Sequence, residues 1–274
     1  MVSALLITLR EGLEAALIVG IVLAALRQLG DQQRGRYIWA GVLAAVAASA
    51  ILGAVLQALG VSLEGRGEQI FEGLAMFLAA GVLSWMIFWM QRQGRQIHGE
   101  LERSVRRAVS ADSAGMLFGL AFVAVFREGL ETALFLTAAA FSATPAETLI
   151  GGALGLLAAV ALGWLIFVAG WRLDLRVFFR VTGLLLILVA AGLFAHGIHE
   201  LEELGWLPSI VEHVWNLNPV LDENSTVGSL LKALFGYSSN PSLLRVLSYI
   251  GYLLAIWVAN RLVGRTPASA TRSA

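Results

Sequence analysis

Residues 10–14 read Arg10-Glu11-Gly12-Leu13-Glu14, and they lie inside Leu5–Leu26, which is otherwise almost wholly apolar. The same pentapeptide returns at Arg127-Glu128-Gly129-Leu130-Glu131, inside the apolar run Phe118–Phe141. A charged side chain at the centre of a bilayer costs about 2.5–3.5 kcal/mol on insertion scales, and each copy carries three charges. A cost of that size, met twice, indicates that these charges have a function.

Helical geometry explains the spacing within the pentapeptide. Successive helical residues turn by about 100°, so Glu11 lies near 100° and Glu14 near 40° from Arg10. All three therefore project from one face, and Gly12 leaves the backbone beside them approachable. If the two copies face each other, their charged side chains meet in one buried site. The net charge of this site is −2, which suits a cation. Its six side chains are those of Arg10, Glu11, Glu14, Arg127, Glu128 and Glu131.

A purely structural alternative is an interlocking clamp between the two helices. In that arrangement Arg10 pairs with Glu128 or Glu131, and Arg127 pairs with Glu11 or Glu14. The clamp leaves two carboxylates unused. Ionisable groups inside a membrane are functional by default, so the cation site is the favoured interpretation.

The composition is that of a membrane protein. Of the 274 residues, 58% are hydrophobic and 14% are charged, whereas soluble domains carry roughly 25% charged residues. Cysteine is absent, which excludes disulfides and thiolate metal sites. The five methionines are unclustered, which argues against a Cu(I) path, and no basic module indicates nucleic acid binding. A metal handled by this chain must therefore accept oxygen ligands.

Seven apolar segments are long enough to span a bilayer, which takes about 20 residues. We therefore predict an all-α membrane protein with seven transmembrane helices. The first segment continues beyond Arg10 and follows no basic region, so we expect a retained span rather than a cleavable signal peptide. The predicted spans are Val2–Leu26, Ile38–Leu59, Ile70–Met90, Gly115–Phe141, Leu149–Trp171, Val177–Ile198 and Leu243–Leu262.

The connections between these spans alternate in charge. Four segments, around residues 27–36, 91–114, 172–180 and 261–272, hold 14 basic and five acidic residues, and the opposite connections hold nine acidic and three basic ones. The basic side of a helical membrane protein faces the cytoplasm. This pattern predicts the N-terminus outside, the C-terminus inside and an odd number of spans.

The two halves of the chain resemble each other in opposite orientation. The first span of each half carries the pentapeptide, and Ala79–Leu83 in the third span matches Ala190–Phe194 in the sixth. We predict one permease domain, residues 1–274, built as a 3+3 inverted-topology repeat plus a seventh helix. Its parts are repeat 1 at about 1–91, repeat 2 at about 114–204, an outer connection at about 200–242 and helix 7 at about 243–262.

Further candidate ligands lie near the outer surface. Glu72 opens the third span and, with Glu64 and Glu68 above it, can form a carboxylate ladder or simply a solvated helix end. His196, His199, Glu200 and Glu203 close the sixth span at spacings that can share a metal, although a solvated cluster is the plainer interpretation.

Two of the connecting segments leave their roles open. The outer connection has room for a short amphipathic helix, for example Val227–Phe235, or for docking a periplasmic partner. Arg92–Arg107 is interpreted as a cytoplasmic topogenic loop, with a regulatory or lipid-binding helix as the alternative.

The paired motifs resemble the oxidase-dependent iron permeases, which comprise the fungal high-affinity permeases and the bacterial EfeU type. The resemblance covers nearly the whole chain and is carried by Leu9–Val19, the second pentapeptide, Phe71–Gly73, Trp85–Met90, Ala190–Leu193 and Leu234–Tyr237. It implies high-affinity iron import across the cytoplasmic (inner) membrane. It also implies roles in iron movement for the motif glutamates and arginines, and a separate periplasmic iron-binding or oxidase partner. His196 and His199 match no residue pattern of that family.

The residue pattern and the family resemblance together predict a mechanism with four steps. Outer acids concentrate Fe³⁺ or Fe²⁺, Glu72 passes the ion inward, the four motif carboxylates replace its water, and rocking of the repeats releases it. Iron is then cargo, and no permanently bound cofactor is expected. Alternatives are a permease for another metal such as Pb²⁺ or Mn²⁺, a membrane di-iron oxidase, and a seven-span receptor.

Overall fold

The regular secondary structure is helical throughout the described part of the chain. A computed structural model describes residues 1–62, 65–93, 97–141, 144–169, 174–209, 211–223 and 225–263. These residues form a 3₁₀ turn, Gln32–Arg34, and the helices α1 Val2–Gln28, α2 Gly35–Ser62, α3 Arg66–Gln93, α4 Ile97–Ser110, α5 Ala114–Ala140, α6 Pro145–Phe167, α7 Leu175–Glu203, α8 Thr226–Phe235 and α9 Leu243–Val263. The all-helical fold predicted from composition is confirmed.

Several helix ends are set by residues with the appropriate capping chemistry. The Thr144 hydroxyl accepts a hydrogen bond from the Glu147 amide, and Pro145 follows at the first helical position of α6. The Ser225 hydroxyl likewise accepts from the Gly228 amide at the start of α8. Gly236 ends α8 in the left-handed conformation, with φ of 65°, which glycine adopts without strain.

Five of the helices are long and apolar enough to cross a membrane by length and composition. They lie at Gln32–Leu59, Arg66–Met86, Ala146–Phe167, Val177–Glu203 and Leu243–Leu262, and each coincides with a predicted span. Helices α1 and α5 are each 27 residues long, about 40 Å, but they carry the charged pentapeptides. The described chain is thus a multi-pass membrane protein, and its two remaining long helices hold the buried residues Arg10, Glu11 and Glu128.

The long helices pack in a reciprocal pattern. Helix α1 lies against α6, α5 lies against α2, and α1 and α5 also contact each other, while α3 packs against α7. Glycine residues allow the helices to approach closely in both the α1–α6 pair and the α2–α5 pair. A Cβ atom at Gly155 of α6 would lie 2.4 Å from the Leu5 carbonyl oxygen, and one at Gly41 of α2 would lie 2.5 Å from the Phe118 carbonyl oxygen. Small residues let helices approach in lipid, where apolar burial does not drive association.

Helix α4 corrects the interpretation of residues 92–107 as a loop. From Ile97 onward this segment is helical, and its apolar residues repeat at helical spacing. Val105 and Ala108 are fully buried against Leu26, Ile38 and other residues of α1, α2 and α5. The loop interpretation is therefore wrong for residues 97–107, because a 3.6-residue apolar period overrides the high charge. Residues 94–96 lie outside the described chain.

The connection between α7 and α9 contains the short amphipathic helix that its sequence allows. Helix α8 covers the expected residues 227–235 and begins one residue earlier. Glu223 fastens the connection by accepting hydrogen bonds from the Ser238 hydroxyl at 2.8 Å and from the Ser239 amide at 2.5 Å. Burial raises the pKa of the Glu223 carboxyl, but these bonds and the Lys232 ammonium outweigh it and hold the pKa below its usual range.

We predict that Gly155→Ala destabilises the α1–α6 contact. The new methyl group meets the Leu5 carbonyl and the Thr8 side chain, and overpacking of this kind costs about 1–3 kcal/mol. The melting temperature of the detergent-solubilised protein should fall. Gly183→Ala is the matched control, since its Cβ meets no atom within 4 Å and the helix should gain about 0.5–1 kcal/mol. Equal melting temperatures for the two variants would contradict the close approach.

Candidate metal site

The two pentapeptides meet where α1 crosses α5. Glu11, Glu128 and Glu131 each offer one ligand atom, and these atoms all lie within 4.8 Å of one another. The side chain of Glu11 is 0% exposed and that of Glu128 is 2% exposed. The sequence predicted four converging carboxylates, and the structure brings three of them into one group. Glu14 lies beside them, 2.8 Å from Arg10.

Each arginine pairs with the glutamates of its own pentapeptide. The Arg10 Nη1 atom lies 2.6 Å from Glu11 Oε1, and its Nη2 atom makes the 2.8 Å contact with Glu14. Arg127 Nη2 lies 2.5 Å from Glu128 Oε1, and Arg127 Nε lies 3.8 Å from Glu131 Oε1. The clamp alternative joins opposite helices, whereas these ion pairs lie within one helix. They orient the carboxylates toward the crossing.

Three carboxylate oxygens of this group have unused acceptor capacity. One oxygen each of Glu11, Glu128 and Glu131 is buried without a hydrogen-bond partner among the described residues. A buried acceptor left unsatisfied costs about 1–3 kcal/mol, and more when it is charged. Hard cations bind carboxylate oxygens, so an ion at the crossing would satisfy all three at once. The donor set fits a cation that accepts oxygen ligands.

The glycines of the pentapeptides admit the neighbouring helices. A Cβ atom at Gly12 would lie 2.8 Å from the Cβ of Ala159 in α6. At Gly129 it would lie 2.0 Å from the Ser49 hydroxyl in α2. The expectation that Gly12 leaves the backbone beside the charges approachable is confirmed, since α6 approaches it and Gly12 also lies at the cavity described below. Its main effect is to let α6 pack against α1 at the level of the site.

A cavity of about 610 Å³ lies between α1, α2, α5 and α6, and Glu11 and Glu128 form part of its wall. Five hydroxyl groups also line it, from Thr8, Ser49, Thr132, Thr137 and Thr148. Each donates its hydrogen to the carbonyl four residues earlier, at 2.7–3.2 Å, so its oxygen can still accept a hydrogen bond.

These hydroxyl groups were not among the predicted ligands, although the sequence spacing contains a signal for two of them. Thr8 lies three residues before Glu11, and Thr132 lies four residues after Glu128. Helical geometry therefore places each hydroxyl on the same face as a motif carboxylate.

The remaining predicted ligands are Glu72, His196, His199, Glu200 and Glu203. They lie with Gln69 and Glu202 in a second group, which we call the α3–α7 polar cluster. His196 Nε2 lies 3.6 Å from Glu200 Oε1, and His199 Nε2 lies 3.3 Å from Glu203 Oε1. The two helices meet here, since Gln69 Nε2 donates to Glu203 Oε2 at 3.0 Å. Helix α7 continues to Glu203, so the predicted i, i+4 spacings are realised on one helix.

Helix α9 contributes to this cluster in a way that the sequence did not indicate. Arg245 Nη2 lies 3.1 Å from His196 Nδ1, and the Ser242 hydroxyl donates to Glu202 Oε2 at 2.6 Å. Glu72 precedes Gly73, whose Cβ position lies 3.5 Å from the Cβ of Glu200. Glu64, the first rung of the predicted ladder, lies outside the described residues.

An apolar layer separates the α3–α7 polar cluster from the pentapeptides. Ile7, Met76 and Phe135 are 0% exposed and belong to one core between α1, α3, α5 and α7. Phe71, beside Glu72, contacts Phe141, which lies ten residues beyond Glu131, or about 15 Å along α5. The structure therefore brings the predicted ligands together as two sites rather than as a continuous ladder.

Comparison with known proteins shows the family to which the chain is similar. Residues 1–270 match the model of the Iron permease FTR1 family. The chain is 38% identical to the "Ferrous iron permease EfeU" of Shigella sonnei (strain Ss046) and of Escherichia coli O157:H7, over 98% of both chains in each case. It is 40% identical to an uncharacterized protein of Archaeoglobus fulgidus over 93% of each chain. No solved structure matches the chain.

We predict opposite effects of Glu11→Gln on cation affinity and on stability. Losing one of three carboxylates should weaken Mn²⁺ binding by at least about tenfold, or about 1.4 kcal/mol. In metal-free buffer the same change removes repulsion between buried like charges, so the melting temperature should rise. Calorimetric titration and thermal unfolding of the purified protein measure the two quantities.

Glu147→Gln is the control for this variant. It removes a half-exposed carboxylate that lies 3.6 Å from the terminal amine, away from the crossing. Its Mn²⁺ affinity should match that of the unmodified protein. A Glu11→Gln protein that keeps full affinity would contradict a cation site at the crossing.

Proposed function

Since the chain belongs to the Iron permease FTR1 family, we propose that it imports iron across the cytoplasmic membrane through the carboxylate site of α1 and α5. Family membership makes it a membrane transporter rather than an enzyme. The di-iron oxidase alternative is set aside on that ground. The route, the oxidation state and the roles of individual residues are the proposed part.

The unsatisfied oxygens of Glu11, Glu128 and Glu131 carry the proposal. They belong to three carboxylates held within bonding reach of one ion, in a site with almost no exposure. Arg10 and Arg127 lower the net negative charge from within their own helices. The reduced net charge holds the ion less tightly, which fits transient binding.

The proposed topology has seven spans, with the N-terminus outside and the C-terminus inside. Helices α1, α2 and α3 form one repeat, α5, α6 and α7 form the inverted one, and α9 is the seventh span. Reciprocal packing of α1 with α6 and of α5 with α2 supports this pairing of halves. Transporters of this architecture bind substrate between the repeats near the midplane, where the pentapeptides meet.

The transport cycle follows from the two sites. The α3–α7 polar cluster, with Glu72, His196, His199, Glu200 and Glu203, collects cations near the outer surface. The motif carboxylates then replace part of the water around the ion. Rocking of one repeat against the other exposes the site to the cytoplasm and releases the ion there.

Iron oxidation, where import requires it, is assigned to a separate periplasmic partner. Two of the three compared relatives are named ferrous iron permeases, which supports Fe²⁺ as the form presented to them. Carboxylate ligands also suit Fe³⁺ and Mn²⁺, so the experiment must offer each ion separately.

We predict that proteoliposomes containing the protein take up radioactive iron and that Glu128→Gln lowers the uptake rate by at least about tenfold, equivalent to about 1.4 kcal/mol. The substitution removes a carboxylate from the crossing and leaves the helix length unchanged. Fe²⁺, Fe³⁺ and Mn²⁺ are supplied in parallel, and Glu147→Gln serves as the control.

The outcomes separate the alternatives. Faster uptake of Mn²⁺ than of either iron ion would replace iron with another metal as the cargo. Equal uptake by Glu128→Gln and by the unmodified protein would reject the carboxylate site and return the pentapeptides to a structural role.

We predict a different defect for the α3–α7 polar cluster. In the double variant His199→Ala/Glu203→Gln the half-saturating iron concentration should rise about tenfold at low salt, because local charge concentrates the ion. The maximal uptake rate should remain unchanged. High salt should shrink the difference, since it screens surface charge. Glu212→Gln is the control, because Glu212 is an exposed acid in the connection between α7 and α9. A lowered maximal rate with unchanged half-saturation would contradict a collecting role.

A further inference from the structure

We propose that the ion reaches the carboxylate site through the cavity between α1, α2, α5 and α6, and not along α3 from Glu72. This inference rests on the proposed function, since it names the access route to the same site. It concerns the outer approach only. Three features of the structure support it: the direction of the cavity, the residues at its deep end, and the close packing of side chains between Glu72 and the carboxylate site.

The cavity runs from the crossing toward one end of the bundle. Its far residues are Gln57, Ala140 and Thr148. Helices α2 and α5 end at that level, while α1 and α6 begin there. In α5 the lining extends from Val125 to Ala140, which corresponds to about 22 Å along the helix. It therefore connects mid-bundle depth with the end that carries the N-terminus.

The deep end of the cavity is the candidate metal site itself. Glu11 and Glu128 lie in its wall, with Ala15 and Val125 beside them as the deepest lining residues of α1 and α5. Small residues keep this space open, among them Gly53 of α2 and Gly152 of α6. An ion that enters the cavity can meet two of the three grouped carboxylates without any helix moving.

The approach from Glu72 is closed by close-packed side chains. Met76 lies one helical turn from Glu72, Ile7 one turn from Glu11, and Phe135 one turn from Glu131. All three side chains are fully buried in one apolar core. An ion crossing that layer would lose its water with nothing to replace it, and unpaired charges are very costly in such surroundings.

The cavity offers the polar contacts that the apolar core does not have. The hydroxyl oxygens of Thr8, Thr132 and Thr137 keep free lone pairs on the way to the carboxylates, and Gln57 adds an amide near the entrance. These groups can hydrogen-bond the water that accompanies a cation. The remaining wall is apolar and holds the passing ion only weakly, which suits conduction better than storage.

The chain has no cysteine, so single cysteines test this route without background labelling. Ala54→Cys and Ala153→Cys place a thiol on the two walls formed by α2 and α6. A membrane-impermeant cationic methanethiosulfonate reagent is added outside proteoliposomes, and thiol modification and iron uptake are measured separately. We expect both variants to be modified and their uptake to fall at least about tenfold afterwards.

Leu157→Cys and Leu74→Cys are the controls, on exposed apolar faces of α6 and α3 away from the cavity. Their uptake should survive the reagent. The inference is overturned if the cavity thiols stay unmodified while uptake is normal, as lipid filling of the cavity would produce. It is equally overturned if they are modified and uptake continues. Absence of uptake before any reagent is added would instead count against the proposed function.

Discussion

The crossing of α1 and α5 imposes the constraint on which the rest of the fold depends. Carboxylates from both helices must be buried close together in an apolar bundle, where like charges repel and desolvation is costly. Arg10 and Arg127 reduce that cost from within their own helices, through contacts of 2.5–2.8 Å to Glu11, Glu14 and Glu128.

Close helix packing is the second consequence of that constraint. Gly12 admits α6 and Gly129 admits α2, so each charged helix is covered by the second helix of the other half of the chain. The same glycines lie beside the cavity that reaches the carboxylates. Packing and access are thus provided by one set of small residues. Enlarging them would affect the stability of the bundle and the shape of the cavity together.

Identical pentapeptides do not have identical surroundings. The side chain of Arg10 is 2% exposed and lies 3.1 Å from the sulfur of Met86, whereas that of Arg127 is 46% exposed. Leu13 is fully buried, and Leu130 is 42% exposed. A bundle with exact internal symmetry would treat the copies alike. The second pentapeptide is therefore the more exposed of the two.

The sequence by itself determined the long helices and their charged faces, and it predicted a cation that accepts oxygen ligands. Apolar length and 3.6-residue periodicity act within one segment, so they located α1, α5 and α8 to within one or two residues. Only the tertiary structure decided that Glu11, Glu128 and Glu131 group together, that residues 97–110 fold onto α1 as a helix, and that Ile7, Met76 and Phe135 separate Glu72 from the crossing. Periodicity fixes which face a side chain occupies. It does not fix which helix lies opposite, because one apolar face resembles another until specific packing distinguishes them.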